Sequence, residues 1–392
     1  MDDPYISLQA AWSYPTATRF GAGRIKELAA VCTAHGLRHP LLVTDPGLAG
    51  HEMIAAALND LEEAGLSPAL FADIQGNPVG ANVEAGLAAY RAGRHDGVIA
   101  FGGGSALDAG KAIAFMSGQT RPLWDFEDRE DWWTRADAAG IAPVIAVPTT
   151  AGTGSEMGRA AVITDERDHT KKIIFHPKML PVEVICDPQL TCGLPATITA
   201  ATGMDALSHS LEAYSSRIWH PMSQGIALEA MRLVHRWLPE AVKDGENVAA
   251  RARMMAASSM GAVAFQKGLG AMHAMSHPCS SLCGTHHGLT NAVVMPYVLL
   301  HNRRAIAYKI DALARYLDLP RQDFAGFLDW VVELRQKIGI PATLAEIGVT
   351  SDLIPRLAAM ALEDPSNGGN PVEMDQGAYE TLFQKAIEGD LS

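Results

Sequence analysis

The chain has no apolar run near the roughly 18 residues that a membrane-spanning helix needs. Its longest candidate, Ala292 to Leu300, is too short and is broken by Pro296. Cysteine is scarce, with five in 392 residues: Cys32, Cys186, Cys192, Cys279 and Cys283. An odd number scattered along a long chain is no disulfide framework. Cys279 and Cys283 have no second cysteine pair to complete a zinc site, so all five read as packing thiols in a reducing cytoplasm. Positive charge is also in deficit, with a formal net charge of −13. That excludes the basic footprint of a nucleic-acid binder. The opening Met1-Asp2-Asp3-Pro4 carries neither the basic nor the apolar stretch of a secretory signal. What is present, 48% hydrophobic and 19% charged residues, suits a chain with a large buried core. Its length allows two or three domains, and its expected partner is a small molecule.

The first half alternates β-branched runs with helical stretches. Strands are expected at Pro40 to Asp45, Asp96 to Phe101, Pro143 to Val147 and Glu183 to Asp187, with helices through Ile54 to Ala64 and Ala112 to Met116. That alternation predicts a mostly parallel sheet flanked by helices. Beyond residue 188 the strand-like runs nearly vanish. Ala206 to Arg217, Ser223 to Trp237 and Val248 to Phe265 are rich in Ala, Met and Leu. The fold class is therefore α/β followed by all-α, with a dinucleotide-binding α/β domain over 1–188 and a helical domain over 189–392. A crevice between two such domains is the expected active site.

Two glycine-rich loops follow predicted strands. Gly102-Gly103-Gly104-Ser105 enters a helix, whose free N–H groups and positive dipole end suit a phosphate. Ser105 can cap that helix, and Asp108 resembles the acidic partner of a capping box. Neither familiar phosphate motif is present: Lys111 is followed by Ala112 rather than a hydroxyl residue, and Leu107 stands where GxGxxG needs its third glycine. The second loop, Pro148 to Glu156, offers Thr149, Thr150, Thr153 and Ser155 as donors to a pyrophosphate or ribose. Asp45 can accept hydrogen bonds from a ribose diol, which favours NAD over NADP; it also reads as a helix N-cap beside Pro46.

Of 14 histidines, four fall within residues 273–287. His273 and His277 are spaced i, i+4, as are Asp205 and His209, so each pair shares a helix face. Asp205, flanked by Met204 and Ala206, needs a partner if buried. A cation held by one carboxylate and three imidazoles meets that need and suits iron(II) or zinc(II). Spacing does not choose among His273, His277, His286 and His287.

Taken together, these segments resemble the iron-dependent (group III) alcohol dehydrogenases from about Phe20 to Asn370-Pro371. The resemblance is carried by Gly102 to Ser105 with Asp108 and Lys111, by Pro148 to Glu156, by Gly203-Met204-Asp205-Ala206-Leu207-Ser208-His209, and by Gly268 to Pro278 followed by His287-Gly288. It implies a dehydroquinate synthase-like architecture and metal ligands Asp205, His209, His273 and His287. It implies His277 beside the nicotinamide, in a proton path or as a stacking group, and leaves His286 out. The implied cofactor contacts are Asp45, Asn77, Gly103, Gly104, Ser105, Asp108, Thr149, Thr150 and Lys171. The implied cofactors are iron (Fe2+), with zinc (Zn2+) as the alternative, and NAD.

The implied reaction is metal-assisted hydride transfer between NAD(H) and a small alcohol or aldehyde, by a homodimer or larger homo-oligomer. Maleylacetate-type reductases, zinc-dependent glycerol-type dehydrogenases and dehydroquinate synthase-like lyases share the fold, and a metal hydrolase can use the same ligands. One departure bears on substrate. Gly158-Arg159 stands where diol-acting relatives tend to carry a threonine and an amide. Arg159 can instead meet an anionic substrate group, or be an ordinary solvated arginine.

Overall fold

The computed structural model describes residues 10–12 and 16–392. They fall into two compact units, one running to Thr150 and including Gly154–Cys192, the other made of Ala151–Thr153 and Gly193–Ser392.

The first unit runs β1 (Ala10–Trp12), β2 (Ala17–Phe20), α1 (Leu28–Ala34), β3 (Pro40–Val43), α2 (Pro46–Ala49), α3 (Glu52–Glu63), β4 (Ala69–Phe71), α4 (Gly80–Ala92), β5 (Gly97–Gly102), α5 (Gly104–Met116), β6 (Val144–Pro148), β7 (Ala160–Asp165), β8 (Thr170–Phe175) and β9 (Glu183–Cys186). Seven strands form one sheet in the order β1-β2-β9-β6-β5-β3-β4. Only β1 is antiparallel to its neighbour; the other six strands run parallel. Every residue of β5 and β6 is buried, the mark of parallel strands covered on both faces. Leu42, Ile99, Phe101, Ile145, Val147 and Ile185 pack there with Leu28, Val31, Ile54 and Leu61 from the helices.

The pairing register sets Gly102 opposite Pro148, and Thr149 N donates to Gly102 O at 2.9 Å. The two glycine-rich loops therefore leave the sheet side by side. The edge strand β1, its neighbour β2, the short β4 and the hairpin β7–β8 lie outside the strand pattern read from the sequence. The hairpin's charged turn is held by buried Asp165, which accepts from Arg167 Nε at 2.9 Å and Lys172 Nζ at 2.6 Å. Charge-assisted bonds hold the turn end of that ladder, while Ala161, Ile163 and Ile174 bury its apolar face. Beyond β9, Asp187 caps a turn through Gln189 N (3.0 Å) and accepts from Ile25 N (3.0 Å). This keeps Pro188–Thr191 with the first unit.

The second unit, among its described residues, is helical: α6 (Ala196–Ser215), α7 (Pro221–Lys243), α8 (Val248–Ala264), α9 (Ala271–Cys283), α10 (His287–Tyr316), α11 (Phe324–Lys337), α12 (Ile354–Glu363) and α13 (Gln376–Glu388). Helix α6 is buried along nearly its whole circumference; α7, α8 and α10 pack around it. No helix among the described residues is long and apolar enough to cross a membrane.

The carboxyl end of α6 leaves carbonyls to satisfy inside the protein. Two lysines do so. Lys267 Nζ donates to the carbonyls of Ala213 (2.9 Å), Tyr214 (3.2 Å) and Ser216 (3.0 Å). Lys309 Nζ donates to those of Tyr214 (3.2 Å), Ser215 (3.1 Å) and Ser216 (3.1 Å). Cations at this end also complement the helix dipole. Replacing the fully buried Lys267 with methionine keeps its bulk but strands these acceptors, so Lys267→Met is expected to cost about 1–3 kcal/mol. A lower melting temperature in calorimetry checks this, and an unchanged one removes the capping role.

Candidate metal centre and cofactor-binding edge

Of the cofactor residues expected from sequence, Asp45, Asn77, Gly103, Gly104, Ser105, Thr149 and Thr150 lie beyond the carboxyl ends of β3, β4, β5 and β6, the edge where open α/β sheets bind ligands; Asp108 lies within α5 and Lys171 on β8. Gly102 closes β5 at φ +151°, where an added Cβ would lie 2.8 Å from Ala106 Cβ, so glycine alone turns the strand into α5. Gly103 is the N-cap residue of α5 and Gly104 its first residue. Thr150 adjoins this turn, its Cγ2 3.3 Å from where a Cβ on Gly103 would sit. Asp45 Oδ1 caps α2 by accepting from Gly47 N (2.9 Å) and Leu48 N (3.2 Å), while Oδ2 lies 3.5 Å from a Cβ built on Gly102. Asn77, left-handed at φ 55°, donates its N–H to Ser105 Oγ at 3.3 Å. Lys171 on β8 pairs in register with Thr164, whose N–H donates to Pro78 O at 2.8 Å. That bond joins the hairpin to the Asn77-Pro78 turn.

Two expectations need correcting. Ser105 does not cap α5; it lies inside the first turn and accepts from Asn77. Asp108 is no capping-box partner either. Its carboxylate accepts from Ser155 Oγ (2.5 Å) and Val162 N (3.0 Å) and pairs with buried Lys111 at 3.2 Å. Lys111 in turn donates to the carbonyls of Ser155 and Ala160. Asp108 and Lys111 thus lash the second loop to α5.

In the helical unit, one ligand-type atom each from Asp205, His209, His273 and His287 lies within 4.8 Å of the other three. Asp205 and His209 come from one face of α6, His273 from the first turn of α9, and His287 is the first residue of α10. Gly288 makes the last placement possible: a Cβ there would lie 2.5 Å from Ala201 O and 2.9 Å from Asp205 Cβ. The start of α10 therefore presses directly on α6.

From Asp205 Oδ1, Nε2 of His287 is 3.6 Å away and Nε2 of His273 is 4.0 Å away. These separations approach roughly 3.4 Å, the edge of a tetrahedron of donors about 2.1 Å from a central cation. The residues fit such an ion. Asp205 is 2% exposed, and His209 Nδ1 is buried with no hydrogen-bond partner. Burial pushes the His209 pKa down to about 4, leaving the neutral imidazole that a metal requires.

Three side chains that the sequence reading missed complete the surroundings. Asn291 Nδ2 donates to Asp205 Oδ1 at 2.9 Å and lies 3.2 and 3.3 Å from Nε2 of His287 and His273. Glu212 meets His273 Nδ1 at 2.7 Å. Asp364 meets His277 Nδ1 at 2.7 Å; burial alone would raise the Asp364 pKa, but the charge and hydrogen bond of His277 hold it below the usual carboxylate value. Glu212 was open to detection, because it continues the Asp205–His209 face at i+7. Asp364 carries no local signal. His277 stacks on His287 with ring centroids 5.2 Å apart but is absent from the four-ligand cluster. His286 is exposed and caps α10, Nδ1 accepting from Leu289 N at 3.4 Å. All five cysteines are free thiols.

A dinucleotide-type sheet edge in one unit and a cluster of one aspartate and three histidines in the other are the marks of an enzyme that uses a metal and a dinucleotide. Residues 15–188 match the family model of iron-containing alcohol dehydrogenases, and residues 199–387 match the model of that family's C-terminal part. The chain is 38% identical over 385 residues to 4-hydroxybutyrate dehydrogenase of Cupriavidus necator, covering 95% of this chain and 99% of that protein. Among solved structures it is similar to a 1,3-propanediol oxidoreductase, with a TM-score of 0.89 at 34% identity, covering 94% of this chain and 97% of that one. It is also similar to sulfoacetaldehyde reductase from Bifidobacterium kashiwanohense in complex with NAD+, with a TM-score of 0.87 at 30% identity and coverage of 97% and 99%. The chain belongs to the iron-containing alcohol dehydrogenase family. It is an NAD-dependent oxidoreductase that transfers hydride between the nicotinamide and a small alcohol or aldehyde.

With Asp205 as a ligand, its removal is expected to empty the centre and leave the glycine-loop edge undisturbed. Asp205→Ala, reconstituted with iron(II) and desalted, is expected to hold under about a tenth of the wild-type iron. Its NADH affinity by fluorescence titration is expected to stay within about threefold. Wild-type iron content in the variant would show that Asp205 is not a ligand.

Proposed function

We propose that the metal-binding group is Asp205, His209, His273 and His287, and that the enzyme acts on a short alcohol or aldehyde bearing an anionic group at its far end. The convergence of the four ligand atoms carries the first part. Iron(II) held there supplies Lewis acidity to the substrate's carbonyl or hydroxyl oxygen. Asn291 steadies the Asp205 carboxylate by its amide hydrogen bond. The turn at Gly103, Gly104 and Ser105, with Thr149 and Thr150 beside it, holds the pyrophosphate of NAD. Asp45 keeps Oδ2 for the ribose, where its charge disfavours a 2′-phosphate. Asn77 and Lys171 flank this edge, and Asp108 supports it through Ser155. His277 exchanges the proton of the substrate oxygen, with Asp364 fixing its ring.

The substrate class rests on Arg159. It is exposed, and its guanidinium lies over the Phe175 ring at 5.6 Å. A planar, permanently charged group of this kind suits a substrate carboxylate or sulfonate. The names of two relatives, 4-hydroxybutyrate dehydrogenase and sulfoacetaldehyde reductase, point to substrates with such groups. A cytoplasmic homo-oligomer is the setting this reading takes, and light scattering of the purified protein reads the assembly.

Steady-state NADH oxidation with succinate semialdehyde and with butyraldehyde tests the substrate class. Arg159→Leu is expected to lower kcat/KM for the carboxylated aldehyde about 10- to 100-fold, as losing a charged hydrogen bond would. The neutral aldehyde should be little affected. Equal values for both substrates in wild type and variant would remove the anionic reading. His277→Ala is expected to lower kcat by about 100-fold or more; an unchanged kcat would leave His277 a packing residue.

A further inference from the structure

Glu212 has no part in the reaction as derived so far, yet it is only 4% exposed within an otherwise apolar stretch of α6. A buried carboxylate needs compensating donors, and here both come from the first turn of α9. Oε1 accepts from Met272 N at 2.7 Å, and Oε2 meets His273 Nδ1 at 2.7 Å. That turn cannot cap itself, because its N-cap residue is Gly270. The adjacent N–H, of Ala271, donates to Asn370 Oδ1 at 3.2 Å. Asn370 is locked in a reciprocal amide pair with Asn302, at 2.9 and 3.0 Å. Glu212 and Asn370 thus share the capping of α9, but only Glu212 also touches a residue of the metal cluster.

We propose that Glu212 is the positioning residue of the metal centre, fixing His273 as the tautomer that carries its proton on Nδ1 and turns the Nε2 lone pair to the cation. The assignment rests on the metal reading above. An ionised carboxylate only accepts, so the imidazole N–H must face it and Nε2 remains a ligand. Nε2 lies on the cluster side, 4.0 Å from Asp205 Oδ1. Asp205, His209 and Glu212 follow one another at i, i+4 and i+7, so one face of α6 supplies two ligands and orients a third.

The test is the zinc(II) dissociation constant of the metal-stripped full-length protein, measured by competition with a chromophoric chelator. Glu212→Gln offers one acceptor for two donors and is expected to weaken zinc binding about 10- to 100-fold. Asn370→Ala removes the other half of the helix cap. It is expected to lower the melting temperature while leaving zinc affinity within about threefold. Unchanged affinity in Glu212→Gln, or an equal loss in Asn370→Ala, would overturn the assignment and leave Glu212 an ordinary cap. Should Glu212→Gln fail to fold, histidine-selective 15N NMR of the zinc-loaded wild type decides the tautomer. A proton on His273 Nδ1 is expected, and one on Nε2 overturns the proposal. Failure of the wild type to bind zinc at all would instead remove the metal reading itself.

Discussion

A carboxylate buried among imidazoles is the constraint on which the helical unit turns. Asp205 sits near the middle of α6, a helix enclosed by α7, α8 and α10, where an isolated charge would cost several kcal/mol. Nothing in the apolar packing offsets that cost. The Asn291 amide donates to the carboxylate, and a cation held together with three imidazoles from three helices would complete the compensation. The helices are shaped to deliver them. Gly288 lets α10 press on α6, and Glu212 and Asn370 complete the first turn of α9 that presents His273. An assembly built this way behaves as one network, so removing a member disturbs its neighbours as well.

The α/β unit solves a different problem. Most of the residues proposed to meet the cofactor come from loops, and their placement is borrowed from the sheet beneath. The fully buried strands β5 and β6 set the register, and the Thr149–Gly102 hydrogen bond places both loops side by side. Asp108 and Lys111 then pin the second loop from within α5.

Much of this was legible in the sequence, for identifiable reasons. The buried parallel strands announce themselves as β-branched runs, and the helical half by long Ala-, Met- and Leu-rich stretches without strand runs. The four cluster residues were reachable through i, i+4 pairing and the resemblance of their motifs to a family. Other features were hidden. The turn of the β7–β8 hairpin is held by ion pairs of Asp165 with Arg167 and Lys172, which no strand-like run announces. Ser105 and Asp108 have the residue types of a capping box, but Gly103 occupies the cap and leaves both for other partners. Asp364 reaches His277 across 87 positions of sequence, a distance at which no local pattern operates.

The sequence alone settled what depends on short-range periodicity and residue chemistry: the order of α/β and helical halves, the glycine turn after β5, and the pairing of Asp205 with His209 on one helix face. Tertiary structure decided which of the clustered histidines meet. His273 and His287 join the cluster, whereas His277 turns to Asp364 and His286 caps a helix. Helical spacing fixes neighbours along one axis, but the meeting point of three helices depends on how closely their backbones approach, and that is set by contacts such as Gly288 against Ala201, far apart in the chain.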